Sequence, residues 1–225
     1  VGGRNDFYGY EAVEVVDTTM VIAARNADGG PSEPGVVYIY RLRGNRWVET
    51  ERLTVPTPGV VDNFGRSIAL NEDADRLIVG CRPNNVSQGH PAFVYEFDGT
   101  DWSLHGTLTS GNQVATGDFF GWDVDIYGDW AVVCSQDEVI GGLDFAGAVY
   151  VFRYDGQQWT EAQRIAAPTP EDGGHFGRSC ALWDGRLVIG SFGVEVNGQD
   201  NAGMVFVYEL VGGGIWQLEA ELVPP

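Results

Sequence analysis

Hydrophobic and polar residues alternate along this chain with the period of β-strands, and no segment keeps a helical period. A short alternating segment such as "RSIAL" (66–70) is followed by a continuous apolar run, "LIVGC" (77–81), and then by paired aromatic residues in "AFVYEF" (92–97). A fourth segment begins at Trp102 and ends at Leu108. Asp-Gly and Gly-rich turns separate the segments, as they do in β-hairpins. The pattern predicts an all-β fold of short antiparallel strands.

The same four segments occur four times. An aromatic residue followed by glycine opens each copy, at Gly9, Gly65, Gly121 and Gly177, and these glycines are spaced by 56 residues. Four-stranded sheets repeated at such a period are typical of a β-propeller, in which each sheet is one blade around a central axis. A two-sheet sandwich could use the same strands, but it would not require a constant spacing. We therefore predict a single β-propeller region over residues 1–225, with four blades at about 6–55, 62–110, 118–167 and 174–223.

The composition fits a folded domain and limits its partners. With 225 residues, of which 44% are hydrophobic, the chain can bury a sizeable core. The net charge of −19 argues against a nucleic-acid partner, because phosphate binding requires clustered cations. No apolar stretch reaches the roughly 18 to 20 residues that cross a bilayer, so we expect no transmembrane segment in this chain.

Together with the aromatic-Gly pairs, the segments "LIVG" (77–80), "AGAVYVF" (146–152) and "WTEAQRI" (159–165) resemble the FG-GAP repeat. This repeat is known from the N-terminal β-propeller of integrin α chains and from secreted or surface proteins. The resemblance covers essentially the whole chain. It implies a propeller that has seven blades in its best-known members and that binds proteins, sugars or matrix rather than catalysing a reaction. It also implies an extracellular or cell-surface location.

The resemblance further implies a calcium loop between the first and second strands of several blades. The corresponding turns here are "VVDTTM", "NEDADR", "YGDW" and "WDGR", and none offers the spaced acidic ligands, glycine and terminal acid that a calcium loop requires. Asn71, Glu72, Asp73 and Asp75 come nearest, and a plain solvated turn explains them better. We therefore expect no integrin-type calcium loop and assign no metal ligands or cofactor, with bound calcium as the open alternative.

The spacing leaves two arrangements of the blades open. Gly65 lies twelve positions after Leu53, and joining the two ends of the chain would place Gly9 at the same distance after Leu222. The blades could close into a four-bladed ring, or they could belong to a larger propeller such as the seven-bladed one that the resemblance implies. A ring cut between blades lacks the strand exchange that usually clasps its ends. We favour the larger assembly, and expect apolar outer flanks on the first and fourth blades that are covered by further blades or subunits.

In an up-and-down blade, the loop between the second and third strands and the connection to the next blade emerge on one side, which we call the long-loop face. These segments, such as 136–147 and 167–175, are longer than the turns on the opposite side. Recognition residues concentrate on variable loops held by a rigid scaffold, so we expect a protein or carbohydrate ligand to bind this face. For each single residue a solvated connector is the open alternative. The candidate binding residues are Asn26, Asp28, Asn84, Asn85, His90, Asp137, Glu138, Asp144, Asn197 and Asp200.

Acidic residues of the first strands form a second candidate site. Glu14 and Asp125 fall at matching positions where the other two blades have alanine, and both could face the central channel and hold a cation or cationic group. Glu11 and Asp123 are the further acids of these strands. The alternative function is therefore a propeller enzyme, a hydrolase or lyase, with an acidic site in the channel.

The sequence gives little support for catalysis by histidine or cysteine residues. His90, His105 and His175 lie in different contexts, without metal-type spacing or a repeated acid or serine partner. The three cysteines replace small or apolar residues of the aligned repeats, which predicts buried free thiols. Asp6, Asp62 and Asp118 each precede a repeat glycine by three residues, and we interpret them as fixing the entry to the first strand, with a ligand role as the alternative. We expect a noncatalytic recognition or scaffolding module of a secreted or cell-surface protein.

Overall fold

The computed structural model describes residues 7–25, 35–56, 63–81, 91–111 and 117–225. Within these ranges every regular element is a β-strand, and the sixteen strands form four separate sheets. Each sheet contains four strands that are consecutive in the chain and antiparallel to their neighbours. The predicted all-β propeller with four-stranded blades is confirmed.

The strand order within each blade follows the chain, so the first and fourth strands form the two edges of each sheet. Blade 1 contains β1 (Tyr8–Val16), β2 (Thr19–Ala24), β3 (Val36–Arg43) and β4 (Arg46–Thr54). Blade 2 contains β5 (Phe64–Leu70), β6 (Arg76–Cys81), β7 (Ala92–Phe97) and β8 (Trp102–Leu108). Blade 3 contains β9 (Phe120–Tyr127), β10 (Trp130–Ser135), β11 (Ala148–Tyr154) and β12 (Trp159–Ala166). Blade 4 contains β13 (Phe176–Trp183), β14 (Arg186–Ser191), β15 (Met204–Val211) and β16 (Ile215–Leu222).

Each blade opens with the same four-residue turn. The residue before the aromatic-Gly pair has a positive φ in all four copies, at Phe7, Asn63, Phe119 and His175. Its carbonyl accepts a hydrogen bond of 3.1 Å from the backbone N–H three residues later, as Asn63 accepts from Arg66. The glycine in the third position also has a positive φ, between +68° and +87°, which residues with a side chain rarely adopt. The recurring aromatic-Gly pair is therefore the centre of a turn that requires glycine.

The repeat glycines also bring neighbouring blades into contact. A Cβ atom on Gly65 would lie 2.7 Å from the Cβ of Ala23 in blade 1, and one on Gly121 would lie 2.7 Å from the carbonyl oxygen of Cys81 in blade 2. A larger residue at either position would push the two sheets apart. The aromatic residue before the glycine packs on aromatic rings of the third strand of its own blade. One dipeptide thus sets both the turn and the close approach of two sheets.

The hydrophobic core lies between consecutive blades. Three clusters of buried side chains fill the spaces between blades 1 and 2, 2 and 3, and 3 and 4. In the middle cluster, Val94 and Leu108 of blade 2 lie with Phe120 and Tyr150 of blade 3. Complete burial of a large apolar side chain contributes about 1.5–3 kcal/mol, so each blade depends on its neighbour for much of its stability.

The outer strands of neighbouring blades are joined by polar contacts at a repeated position. Gln163 accepts the N–H of Trp216 at 2.8 Å through its Oε1 atom and donates from Nε2 to the carbonyl of Trp216 at 2.9 Å. The Glu51 carboxylate accepts the N–H of Trp102 at 3.0 Å. The tryptophan at the start of a fourth strand is therefore held by the fourth strand of the preceding blade.

We predict that Gly177→Ala destabilises the protein more than Gly156→Ala. The two glycines have φ of +87° and +94°, so both variants carry the same backbone cost of about 1–2 kcal/mol. A Cβ at residue 177 would additionally lie 2.9 Å from Cγ2 of Val149 and 3.0 Å from the carbonyl oxygen of Ala148, whereas one at residue 156 meets nothing within 4 Å. The free energy of unfolding, measured with urea, should therefore be about 1–3 kcal/mol lower for Gly177→Ala than for Gly156→Ala. Equal losses would mean that the repeat glycine serves only its backbone conformation.

Candidate functional site

On the long-loop face, the loops 136–147 of blade 3 and 192–203 of blade 4 have the same backbone hairpin. Ile140 and Leu143 form an isolated bridge at the tip of the first loop, and the second loop has the matching bridge. At the base of each loop, the N–H of the last glycine donates to a carbonyl nine residues earlier, at 2.9 Å in blade 3 and 3.0 Å in blade 4. The two loops are thus built alike although their sequences differ.

The blade 3 loop is held against the connection that leads into blade 4. The N–H groups of Gly173 and His175 donate to the carbonyls of Asp144 and Phe145, both at 2.8 Å. The Asp172 carboxylate accepts the N–H of Asp144 at 2.8 Å. These bonds fix a loop of one blade on the entry to the next, and the surface at this boundary is therefore well defined.

An aromatic cluster of Phe145, His175 and Phe192 lies at this boundary. The imidazole of His175 stacks on Phe192, with ring centroids 4.6 Å apart and planes 10° apart, and on Phe145, with centroids 5.8 Å apart and planes 28° apart. Nδ1 of His175 lies 2.8 Å from Oδ1 of the buried Asp137, which orients the imidazole. Both phenylalanines are about half exposed. The cluster therefore presents apolar rings to solvent on a support fixed by hydrogen bonds.

Glu138, the neighbour of Asp137, anchors the loop to the sheet of blade 3. Its Oε1 atom accepts a hydrogen bond of 2.9 Å from Nε of Arg164, and its Oε2 atom accepts one of 2.9 Å from the Tyr150 hydroxyl. Burial, together with the adjacent Glu138 carboxylate, raises the pKa of Tyr150, so this phenol remains a hydrogen-bond donor. The loop below the aromatic cluster is thereby tied to two strands of its own blade.

The hairpin requires a positive φ at residue 145, where a phenylalanine is a poorly suited residue. Phe145 has a φ of +55°, which costs a residue with a side chain about 1–2 kcal/mol. At the matching position of the blade 4 loop stands Asn201, with a φ of +56°, and asparagine tolerates this conformation well. A half-exposed ring contributes little to the core that would offset the strain. Such strain concentrates where a residue serves a site rather than the fold.

Acidic residues adjoin the aromatic cluster. Asp144 directly precedes Phe145 and is exposed, as is Asp172. Beside them, the Glu171 carboxylate accepts the N–H of Glu195 at 2.9 Å. This edge of the long-loop face therefore carries several acidic side chains, in a chain whose net charge is −19.

The candidate binding residues have different environments. Asp144, Asn197 and Asp200 are exposed on the long-loop face, and Asp144 borders the aromatic cluster. Asp137 and Glu138 are buried and paired within the protein, so they position other groups rather than offer open carboxylates. The remaining candidates lie outside the described residues, and these are Asn26, Asp28, Asn84, Asn85 and His90.

The pattern of residue types did not indicate Phe145 or Phe192, and it left His175 without a partner. The acid that holds His175 is Asp137, which lies 38 residues earlier, in the loop of the preceding blade. A position-by-position comparison of the two loops offers one usable signal, because Phe145 stands where the other loop has Asn201. The signal is weak, because the opening turns show the same exchange, with Phe119 where blade 2 has Asn63.

The channel acids Glu14 and Asp125 occupy the same register position in blades 1 and 3. The carboxylate of Asp125 is engaged on both oxygens, because Oδ2 accepts the N–H of Leu182 in blade 4 at 2.6 Å and Oδ1 accepts the N–H of Ile126 at 2.8 Å. A carboxylate held in this way joins two first strands across a blade boundary. It is poorly placed to act as a catalytic base or as an open cation ligand.

The same environment shifts the titration of these acids. Burial raises the pKa of Asp125 to about 6, the nearby Asp123 and Glu14 carboxylates add to the rise, and the two backbone N–H bonds oppose it. Burial also raises the pKa of Asp123, whose Oδ2 atom accepts the N–H of Cys180 at 2.9 Å. Burial likewise raises the pKa of Glu14. The inner strands therefore favour protonation of acids that bridge two blades.

The turn that begins at Asn71 comes nearest to a calcium loop, and its own side chains use their oxygen atoms in hydrogen bonds. Asn71 is buried, and its Oδ1 atom accepts the N–H groups of Asp75 and Arg76 at 3.0 and 2.8 Å. The Glu72 carboxylate accepts the N–H of Gly128 in the next blade at 3.0 Å. The interpretation as a plain solvated turn is therefore incomplete, because this turn also contacts blade 3. Within the ranges that the structure describes, no three His, Cys, Asp or Glu side chains are grouped to hold a metal ion.

The three cysteines are free thiols. Cys81 and Cys134 are buried, and Cys180 is partly buried. A hydrogen bond to the Cys134 thiol, together with burial, raises the pKa of Cys180 well above its ordinary value. Since the thiolate is the nucleophilic form, none of this favours a catalytic cysteine.

Two segments of the chain, residues 102–152 and 159–208, match the family model described as the FG-GAP repeat. The resemblance to FG-GAP repeats is thereby confirmed. Each match begins at a fourth strand and ends in the third strand of the next blade, so the family's repeat includes the boundary between two blades. A search of curated proteins gives no match to this chain.

The fold defines a β-propeller module, and two of its segments match the FG-GAP repeat. Such repeats are typical of nonenzymatic propeller modules, and they occur in extracellular or surface proteins. The part of the chain that the structure describes contains no helix with the length and apolar character needed to cross a membrane.

We predict that Asp125 makes the protein less stable as the pH rises. Folding raises its pKa from 3.8 to about 6, so the folded state binds the proton more tightly. The resulting stabilisation is fully present below about pH 4 and is lost as the pH rises through 6. The free energy of unfolding is measured with urea for the wild type and for Asp125→Asn. Between about pH 4.5 and about pH 7.5, that of the wild type should fall by about 2 kcal/mol relative to that of the variant.

Asp155→Asn is the matched control for this pH dependence. Asp155 lies in an exposed turn, where the backbone N–H groups of Gln158 and Gln157 lower its pKa. The stability that Asp155 contributes is therefore present above its ordinary pKa and is lost as the pH falls. This pH dependence is opposite to that expected for Asp125. A difference between wild type and Asp125→Asn that does not change with pH would contradict the raised pKa.

Proposed function

We propose that this chain is a noncatalytic recognition module of an extracellular or cell-surface protein, and that it binds a partner at the aromatic cluster on the long-loop face. The proposal rests on the half-exposed rings of Phe145, from the blade 3 loop, and Phe192, from the blade 4 loop. Both rings stack on the imidazole of His175. Exposed aromatic side chains on a rigid support are typical centres of binding surfaces. The choice of phenylalanine at residue 145 supports a role in binding, because the matching hairpin adopts the same φ with the better suited Asn201.

The charge around the cluster favours a basic protein segment as the partner. An arginine or lysine of the partner could pair with the exposed Asp144 or Asp172 and lie over a phenylalanine face, an arrangement that combines ion pairing with a cation–π contact. The net charge of −19 would speed the approach of such a partner. A carbohydrate could stack on the same rings, and it is the alternative ligand.

The channel acids do not favour the alternative of a propeller enzyme. Asp123 and Asp125 both accept backbone N–H groups from blade 4, and this use explains their position without a substrate. The family of the matching repeats is typically nonenzymatic. Recognition therefore accounts for more of the described residues than catalysis does.

We predict that the double variant Phe145→Asn with Phe192→Gln loses binding while it keeps its fold. Each new residue is the one that stands at the matching position of the other loop, Asn201 or Gln136, so the backbone of both hairpins is preserved. The chain would be screened against an array of basic and acidic peptides and against a glycan array. A basic peptide that binds the wild type should bind the double variant at least about tenfold more weakly.

Trp183→Ala is the control, because Trp183 is an even more exposed aromatic residue at the end of β13, on the opposite side of the blade. This variant should bind the same peptide as tightly as the wild type does. Binding that survives loss of both phenylalanines, or that depends on Trp183 instead, would contradict the proposed site. Selective capture of glycans would keep the site and replace its ligand.

A further inference from the structure

Two of the three cysteines meet at the boundary between blades 3 and 4. Cys134 lies in β10 of blade 3, in the buried cluster between these blades, and Cys180 in β13 of blade 4 packs against that cluster. A Cβ atom on Gly177 would lie 3.5 Å from the Cβ of Cys134, so the Cys134 side chain faces the first strand of blade 4. The two thiols are hydrogen-bonded to each other. This boundary therefore holds a pair of thiols in contact across two blades.

The other internal boundaries show that packing does not require this pair. The matching residues between blades 2 and 3 are Gly80 and Val124, and a Cβ on Gly80 would lie 3.2 Å from Cγ1 of Val124. The matching residues between blades 1 and 2 are Ala23 and Ile68, which are buried in one cluster. Side chains at these two positions thus approach each other at every internal boundary. Cysteine occupies both positions only between blades 3 and 4.

The approach of the two cysteines suits a disulfide. Such a bond forms without movement of the backbone only where the two side chains already point towards each other. The hydrogen bond between the thiols shows this orientation for Cys134 and Cys180. The backbone of Cys180 is also fixed to blade 3, because Oδ2 of Asp123 accepts its N–H at 2.9 Å. The sulfur atoms are therefore held next to each other by both blades.

We propose that Cys134 and Cys180 form a disulfide that joins blades 3 and 4 when the protein meets a small-molecule disulfide such as oxidised glutathione. The thiolate of Cys180, the less buried of the two residues, attacks one sulfur of the oxidant and expels one glutathione thiolate. The thiolate of Cys134 then attacks Sγ of Cys180 and expels the second. The protons of the two protein thiols pass to the two leaving thiolates. One disulfide and two thiols thus give one protein disulfide and two molecules of reduced glutathione.

The surroundings of the pair favour a lasting cross-link over a catalytic one. The hydrogen bond to Cys134, together with burial, raises the pKa of Cys180, and burial raises that of Cys134. Since the thiolate is the reactive form, the bond should form slowly in the folded protein and faster as the pH rises. The same burial limits the access of reductants to the closed bond.

The cross-link would strengthen the boundary that carries the aromatic cluster. Cys134 lies three residues before Asp137, which orients the imidazole of His175. Oxidants of the required class are present in secretory and extracellular compartments, which are the location in the proposed function. The bond itself needs no binding partner, so it can be tested separately from the proposed binding site.

Counting thiols after oxidative refolding tests the proposal. The chain is unfolded in urea and refolded in a buffer of oxidised and reduced glutathione, so that burial in the folded protein does not hinder the exchange. It is then unfolded again with an alkylating reagent and analysed by mass spectrometry. The number of alkylated cysteines should fall from three to one, without disulfide-linked dimers. Cys81→Ser, which retains only the proposed pair, should have none, and its oxidised form should melt about 5–10 °C higher than its reduced form.

Cys134→Ala and Cys180→Val are the matched controls, because alanine and valine stand at the corresponding positions in Ala23 and Val124. Each control should refold, as circular dichroism would show, and keep both of its remaining thiols. Three alkylated cysteines in the refolded wild type would overturn the proposal, and so would a disulfide that includes Cys81 or a lasting mixed disulfide with glutathione. An oxidised Cys81→Ser that melts no higher than its reduced form would also contradict a bond that fits the docked blades.

Discussion

The structure depends on the turn that opens each blade. Its glycine adopts a positive φ and leaves no Cβ where the preceding sheet approaches, while the aromatic residue before it fills the space beside the third strand. Local conformation and packing between blades are therefore set by the same two residues. The three buried clusters form only when successive turns dock in this way, and the positions of the long loops and of the inner strands follow from that docking.

The candidate binding surface is built on one of these turns. His175 is the residue of positive φ that begins the turn of blade 4, and the same residue carries the imidazole between Phe145 and Phe192. The blade 3 loop is tied to this turn through the backbone of His175, and Asp137 of that loop holds the ring. A position that reverses the chain in every blade is thus, in blade 4, also the centre of the aromatic cluster.

The fold could be predicted from the sequence because its determinants are local and repeated. Alternation defined the strands, and the glycine spacing defined the blades, since only glycine suits both the backbone and the close approach at Gly65 or Gly121. The aromatic cluster could not be predicted in this way, because Phe145 and Phe192 come from two loops whose relative placement is set by backbone bonds between blades. The channel acids show the same limit. The strand register predicted that Glu14 and Asp125 occupy matching positions in their blades. The hydrogen bond from the N–H of Leu182 to Asp125, however, depends on how neighbouring sheets are offset.

Amide hydrogen exchange is the most direct test of the claim that docking on the preceding blade stabilises the opening turns. The N–H groups of Tyr10, Arg66, Trp122 and Arg178 donate the same hydrogen bond of 3.1 Å in the four copies, and only Tyr10 belongs to a blade with no blade in front of it. In a monomeric chain, the other three should exchange at least about tenfold more slowly than Tyr10. Equal exchange at all four positions would show that the turn is stable by itself and would contradict the central role given to docking.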